Sequence, residues 1–307
     1  MDTGVICSNV LDGENQQLLQ AFDGIGCKAC LIEAADIAVN VGFPHRFTHW
    51  REGIEDINTF LIRGLGLSTL NKSFFRMDVL HAMERGGITL VNGARATENA
   101  LDKCLTSAIL NGNGIPTPRT VIAEHVKHAM RAFDKLGGDV LVKPIYGSQG
   151  AGIFRLRDQG HAERMFLEMA QAGMIFYIQE FHPAGNPGDL ELPDDLAWDA
   201  RVLVIDGTVI AAMIRHAMDA NTWKANIHAG AAAIPRKPSE EEINLAVEAA
   251  GALGLEIAGV DLLFSAREQA WMVLEVNCCP GWTGLSRVSR ANIPGAIASH
   301  IAGKHRR

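Results

Sequence analysis

Two groups of residues have types and spacings that could do chemistry. In LVKPIYGSQGAGIF, residues 141–154, Lys143 closes an apolar run. A turn of small residues follows, with Gly147, Ser148, Gln149, Gly150, Ala151 and Gly152, before Ile153 and Phe154 resume an apolar pattern. Backbone amides beside a fixed positive charge suit an anion such as a phosphate. An ordinary hairpin with a long glycine-rich loop accounts for the same letters, because short glycine motifs arise often by chance. The second group lies in GVDLLF and WMVLEVNCCPG, which hold Asp261, Glu275 and Asn277. Residues two apart on a strand share a face, so Glu275 and Asn277 point one way and Val276 the other. Two carboxylates and an amide on paired strands make a hard oxygen site suited to Mg²⁺. A polar strand end also explains Asn277 before Cys278-Cys279-Pro280-Gly281. It explains an acid between Leu274 and Val276 less well, since burying an unpaired carboxylate is costly.

The elements that must position these residues alternate between strand and helix. Over residues 4–100, the runs at 4–7 and 88–91 read as strands, 29–32 and 37–39 are further short apolar runs, and 16–24 and 75–83 read as helices. Ile54, Ile57, Leu61 and Leu65 fall on one side of a 3.6-residue pattern, which predicts a helix over 54–65. The alternation argues for a largely parallel sheet. A single helix is expected over 97–110, then strands at 140–142 and 175–179 flanking a helix at 161–172. Runs at 200–205 and 209–214 flank Asp206-Gly207, a hairpin signal. Ser239 with Glu242 has capping-box spacing before an apolar helical pattern that ends near Gly254. Strands at 260–264 and 271–276 and a closing helix at 293–301 complete the chain, and the polar stretch 186–195 reads as a surface loop.

Composition removes several classes. The 307 residues are 48% hydrophobic with net charge −7 and scattered basic residues. That is enough for a sizeable core in two or three lobes, and it disfavours a nucleic-acid surface. No apolar run reaches membrane-spanning length, and the first residues, MDTGVICSNV, lack signal-peptide shape, so the expectation is a cytoplasmic protein. Six cysteines include one CKAC, Cys27 and Cys30, and the adjacent Cys278 and Cys279. One CxxC with no second pair is a weak zinc or redox signal, and reduced, mostly buried thiols are expected. A phosphate loop with a hard-metal pair points to nucleotide chemistry. GxxxxGK[ST] is absent, which removes the Walker type, and so is the HRD and DFG pairing of protein kinases.

VKPIYGSQGAG, FYIQEF, WDARVLVIDGTVIAAMIRH, NIHAGA and GVDLLF…LEVNCCPG, in this order, resemble the ATP-grasp ligases. They are most similar to the branch that includes the ribosomal protein S6 glutamate ligase and the tetrahydromethanopterin α-glutamate ligase. DKCLTSAILNGNGIPTPRTV matches the entry into that branch's central subdomain, and the likeness covers residues 97–301. It implies an α/β (α+β) ATP-grasp fold. An N-terminal Rossmann-like preATP-grasp domain would span 1–96, a central subdomain 97–178 and a C-terminal subdomain 179–307.

By resemblance, Lys103 and Lys143 would contact ATP phosphates, and Gly147, Ser148, Gln149, Gly150 and Gly152 would belong to a mobile loop over them. Gln179, Glu180 and Phe181 would form the adenine hinge, and Asp199 and Arg201 match the family's Asp-x-Arg. Arg215 would stabilise an acyl phosphate, and Lys224 and Asn226 would line the meeting point of phosphates and substrate. Lys143, Arg215 and Asn226 are thus the implied catalytic set. Asp261, Glu275 and Asn277 would hold a pair of Mg²⁺ ions, with Mn²⁺ an alternative. The implied reaction is ATP-dependent amide formation that adds L-glutamate to a small carboxylated acceptor such as a tetrahydromethanopterin-like cofactor, by a homo-oligomer. A ligase acting on a protein C-terminus and a non-catalytic ATP-binding module are the competing readings. Intact Lys143, Arg215, Asp261, Glu275 and Asn277 count against the last. One departure counts against a protein tail: Ala229 stands after Asn226-Ile227-His228 where the S6-ligase-like pattern has a basic residue. Trp223 and Trp282 are candidates to cover a flat ring such as a pterin, or to fill the core.

Overall fold

A computed structural model describes residues 2–50, 52–66, 68–146, 152–193, 196–219, 222–223 and 232–304. The first region runs β1 (Thr3–Cys7), α1 (Gly13–Gly24), β2 (Ala29–Glu33), β3 (Ile37–Val39), β4 (Phe47–His49), β5 (Glu52–Gly53), β6 (Thr59–Ile62), α2 (Leu70–Arg85) and β7 (Thr89–Val91). Four of these strands form a wholly parallel sheet in the order β2-β1-β6-β7, as the alternation predicts. The helix predicted over 54–65 is not there. Thr59, Phe60, Leu61 and Ile62 are all buried in the sheet interior. A strand covered on both faces reads as an unbroken apolar run, which periodicity cannot separate from a helix. Short β3, β4 and β5 make a small antiparallel sheet of their own.

The predicted helix over 97–110 is two helices, α3 (Ala94–Leu101) and α4 (Lys103–Gly112). Asp102 separates them in an extended conformation, its carboxylate accepting from the amides of Cys104 and Leu105. A residue that caps one helix does not continue another. Lys103 is therefore the first residue of α4. Next come β8 (Thr120–Ala123), α5 (Val126–Lys135), β9 (Val140–Lys143), β10 (Phe154–Leu156), α6 (Gln159–Gln171) and β11 (Phe176–Glu180). They form a sheet in the order β10-β9-β11-β8 over a core that includes Phe133, Phe166 and Phe176. β9 and β10 pair antiparallel, Val142 opposite Phe154, so the two strands expected around the glycine-rich stretch are there.

The third sheet joins β12 (Trp198–Ile205), β13 (Thr208–His216), β14 (Ala232–Pro235), β15 (Ile257–Ser265) and β16 (Ala270–Asn277), in the order β14-β13-β12-β15-β16. Asp206 and Gly207 turn the β12–β13 hairpin with φ of 49° and 70°. Positive φ at both central residues is the type I′ requirement, which glycine meets without strain. α7 (Glu240–Leu253) starts on the expected capping box of Ser239 and Glu242 and packs on one face of this sheet. The other face of the β12–β13 hairpin shares a core with the first region, Leu203 and Met213 meeting Val5, Leu18, Phe22 and Leu61. α8 (Thr283–Val288) and α9 (Ile293–Lys304) close that second core. None of the described helices is long and apolar enough to cross a membrane.

Candidate active site

The register of the third sheet builds a charged face. Arg201 stands opposite Asp261, and Asp261 opposite Glu275, while Asp199 and Arg215 face each other two positions along. Arg215 grips Asp199 with Nε and Nη2, at 2.6 and 2.8 Å. Its Nη2 also lies 3.0 Å from Asp261 Oδ2. Arg201 donates Nε to Asp261 Oδ1 and Nη2 to Oδ2, the latter at 2.8 Å. All four side chains are nearly enclosed, and such charges persist only when each is paired. Burial pushes the Asp199 carboxyl above its usual range, against the pull of Arg215. Burial acts the same way on Asp261, but Arg201 and Arg215 outweigh it and hold that carboxyl below the usual range. For Arg215, burial is outweighed by Asp199 and Asp261, which keep it firmly protonated.

The expectation of an unpaired, buried acid between Leu274 and Val276 is corrected, since Glu275 is partly exposed and paired. Asp261 has its two arginines, and Glu275 Oε1 lies 3.3 Å from Lys103 Nζ at the start of α4. Asn277 stands opposite Gly259 and donates Nδ2 to its carbonyl at 3.3 Å. The amide oxygen is then the group a cation would use. Carboxylate and amide oxygens on adjacent, in-register strands fit Mg²⁺ by donor type.

Lys143 ends β9 in the second sheet and donates Nζ to Gln179 Oε1 at 2.6 Å. Gln179 is buried and passes its own amide to Thr120 Oγ1 and the Tyr177 hydroxyl, at 3.1 and 3.2 Å. Ser107 of α4 meets that hydroxyl at 2.7 Å. Burial lowers the Lys143 pKa from 10.5 to about 8, Glu275 and Asp261 opposing the shift and Lys103 adding to it. The lysine is thus within electrostatic reach of the third sheet's charged face. It is also more enclosed than a loop-edge lysine would be.

The hinge residues behave differently from one another. Glu180 is buried, and both its oxygens are bonded by Arg119, at 2.7 and 2.9 Å, with Arg267 at 3.2 Å. Its carboxylate is committed to that network and its amide donates to the Arg119 carbonyl at 2.9 Å, so an adenine could use only its backbone carbonyl. Phe181 carries the Arg155 guanidinium 3.4 Å from its ring centroid and meets Trp223 edge-on at 6.4 Å. Trp282 is fully buried, with Nε1 donating to Gln17 at 2.8 Å, so it cannot cover a ligand ring. His216 Nδ1 donates to the Ala217 carbonyl at 2.9 Å. Cys27 and Cys30 both turn toward Thr3, at 3.6 and 3.9 Å, as packed thiols. Gly147, Ser148, Gln149, Gly150, Lys224, Asn226 and His228 lie outside the described residues. Gly152 is described and leads into β10.

The structure therefore brings together Lys103, Lys143, Gln179, Asp199, Arg201, Arg215, Asp261, Glu275 and Asn277. It adds Arg119, Tyr177 and Ser107, and a cluster from the first region, Glu14, Arg63 and Asn92. Arg63 had a signal: it follows the buried run 59–62 directly, and the carboxyl ends of parallel strands are where α/β folds place function.

The RimK-like ATP-grasp domain matches residues 100–301. The tetrahydromethanopterin:alpha-L-glutamate ligase of Methanocaldococcus jannaschii is 34% identical over 275 residues, covering 88% of each chain. A probable alpha-L-glutamate ligase of Aliivibrio fischeri is 29% identical over 98% of this chain and 95% of its own. Among solved structures, the ATP-grasp ligase PsnB complexed with minimal precursor superposes with a TM-score of 0.75 at 20% identity, covering 99% of both chains. That likeness is one of fold. The expected α/β ATP-grasp architecture is borne out, and the chain belongs to the RimK-like ATP-grasp family as an ADP-forming, ATP-dependent ligase.

Proposed function

We propose that this ligase activates a carboxylate of a small acceptor as an acyl phosphate and joins it to the amine of L-glutamate. The observation that carries the reading is the paired face of Asp199, Arg201, Arg215 and Asp261 beside Glu275, Lys103 and Lys143. Cationic groups converge there with metal-type oxygens, and no nucleophile from the protein is needed. A carboxylate is a poor electrophile, so its oxygen must first take the γ-phosphoryl group of ATP. Lys103 and Lys143 hold phosphate oxygens in this reading, and Arg215 faces the charge that develops during transfer. Asp199 fixes the plane of that guanidinium through its two-point contact. Asp261, Glu275 and Asn277 would hold Mg²⁺, two ions, which offset the charge on the transferring group. The amine then attacks the acyl carbon and the C–O bond to phosphate breaks. Gln179 and the backbone carbonyls of Glu180 and Phe181 serve the adenine, the two amides being bonded to the Arg119 and Asp139 carbonyls. Gly147, Ser148, Gln149, Gly150, Lys224 and Asn226 take the roles that the family likeness gives them.

The likeness to the Methanocaldococcus jannaschii ligase supports glutamate as the amine and a tetrahydromethanopterin-type acid as the acceptor. The test is incubation of the pure protein with Mg-ATP, L-glutamate and a pterin-type carboxylic acid, and in parallel with cell extract. ADP release that needs both glutamate and the acid, with an acid heavier by one glutamyl residue in mass spectrometry, is the expected result. Glutamate appearing on a protein C-terminus in the extract would overturn the acceptor assignment. No ADP release with any acceptor pool would overturn the ligase chemistry proposed for these residues.

A further inference from the structure

Residues 278–283 leave the strand that carries Glu275 and Asn277, and almost every one of them is bonded to the first region. Asn92 Nδ2 donates to the Cys278 carbonyl at 2.7 Å, and Cys279 Sγ donates to the Ile62 carbonyl at 3.4 Å. Arg63 Nη1 donates to the Pro280 carbonyl at 2.6 Å. Glu14 Oε1 accepts from the Trp282 amide, the Thr283 amide and the Thr283 hydroxyl, each at 2.7 Å. Its other oxygen, Oε2, takes Arg63 Nη2 at 2.9 Å, and the Arg63 guanidinium lies 4.3 Å from the Trp282 ring centroid. The Arg63 and Glu14 side chains are 6% and 14% exposed, so water screens this pair little. Gly281 completes the fit: a Cβ there would sit 3.3 Å from Glu14 Oε2.

We infer that Glu14 and Arg63 are positioning residues for the metal ligands at the end of β16. This rests on the proposed Mg²⁺ role of Asp261, Glu275 and Asn277. Asn277 is the last residue of β16, and its amide contact to Gly259 is long. The direction in which the chain leaves therefore sets where its oxygen points. That direction is held by a carboxylate with four donors and an arginine that bridges it to Pro280. Pro280 in turn lies against Gly259, where a Cβ would meet it at 2.8 Å. Both positioning residues come from outside the segment that matches the family domain. The first region thus completes the metal site without touching it.

The probe is Mn²⁺, titrated calorimetrically into protein carrying a non-hydrolysable ATP analogue. The variants are Glu14→Gln, Arg63→Met and Thr283→Val, with Glu275→Gln and the core variant Val79→Ala as comparators. Glu14→Gln and Arg63→Met are expected to weaken Mn²⁺ by about tenfold, the scale of outer-shell metal effects. Thr283→Val, which removes one of the three Oε1 contacts, should weaken it less. Val79→Ala lowers thermal stability and should leave Mn²⁺ affinity alone. Wild-type Mn²⁺ affinity in folded Glu14→Gln and Thr283→Val, with Glu275→Gln weakened, would overturn the positioning role and spare the metal assignment. Wild-type affinity in Glu275→Gln removes the metal assignment and the inference with it. Equal weakening by Val79→Ala would make the effect one of general stability and also overturn it. Should Arg63→Met not fold, Glu14→Gln and Thr283→Val decide.

Discussion

Lys143→Met separates what the lysine does for the fold from what it does for ATP. The ammonium is charged in the unfolded chain up to pH 10.5 but in the native protein only up to about 8, because burial disfavours the charge. The native state therefore bears the full cost of the charge below pH 8. As pH rises from 8 toward 10.5 the native protein releases its proton first and recovers that stability. Integrating the linkage relation, the wild type should gain about 2 kcal/mol on the methionine variant between pH 7 and 9.5. Partial solvent contact of the residue trims this to about 1–2 kcal/mol. The lost bond to Gln179 adds an offset at both pH values, since a neutral amine still donates there, though more weakly than the ammonium. Urea unfolding of both proteins at pH 7 and 9.5, without nucleotide, reads the gap directly. The wild type is expected to close on the variant as pH rises, while Mg-ATP raises the melting temperature of the wild type alone. A gap that stays constant, or moves the other way, would refute the burial argument.

Glu275→Gln should leave a folded protein, since Glu275 is partly exposed and its pairing with Lys103 is a weak stabiliser, yet ADP release should fall by about a hundredfold or more. Near-wild-type turnover at limiting Mg²⁺ would count decisively against its role. Arg236→Ala removes Nε and Nη2 contacts of 3.1 and 2.6 Å from Glu242, which is fully buried, and should cost about 3–5 kcal/mol in urea unfolding. Cys27→Ser with Cys30→Ser should leave ADP release unchanged, and metal analysis of the wild type should find no stoichiometric zinc.

The hairpin around Asp206-Gly207, the capping box at Ser239 and the paired strands holding Asp261 and Glu275 are all legible in the sequence. Each depends on chemistry within a few residues, or on a period that survives burial of one face. The strand at 59–62 is not legible because both its faces are covered, and the break at Asp102 is hidden because a good helix pattern continues through a capping residue. Charge pairing is the larger blind spot. Spacing puts Asp199 and Arg201 on one face, but only strand register reveals that Asp199 belongs to Arg215 and Arg201 to Asp261. Lys103 meeting Glu275, and Glu14 meeting Trp282 and Thr283, are products of the tertiary fold.

The hairpin of β12 and β13 has an irregularity between Leu203 and Val204, where the partner shifts from Ala211 to Val209. It divides the hairpin into a tip and a base. Asp199, Arg201 and Arg215 all lie on the base side, and β15 fixes the register of β12 independently. A one-residue slip on the base side would turn those side chains to the opposite face. The tip carries none of those charged side chains, and at its turn a side chain at Gly207 would meet nothing within 4 Å. Loop tips of this kind accept added sequence. A reporter peptide spliced after Gly207 should therefore leave the ligase working, whereas one extra residue between Ile210 and Arg215 should silence it.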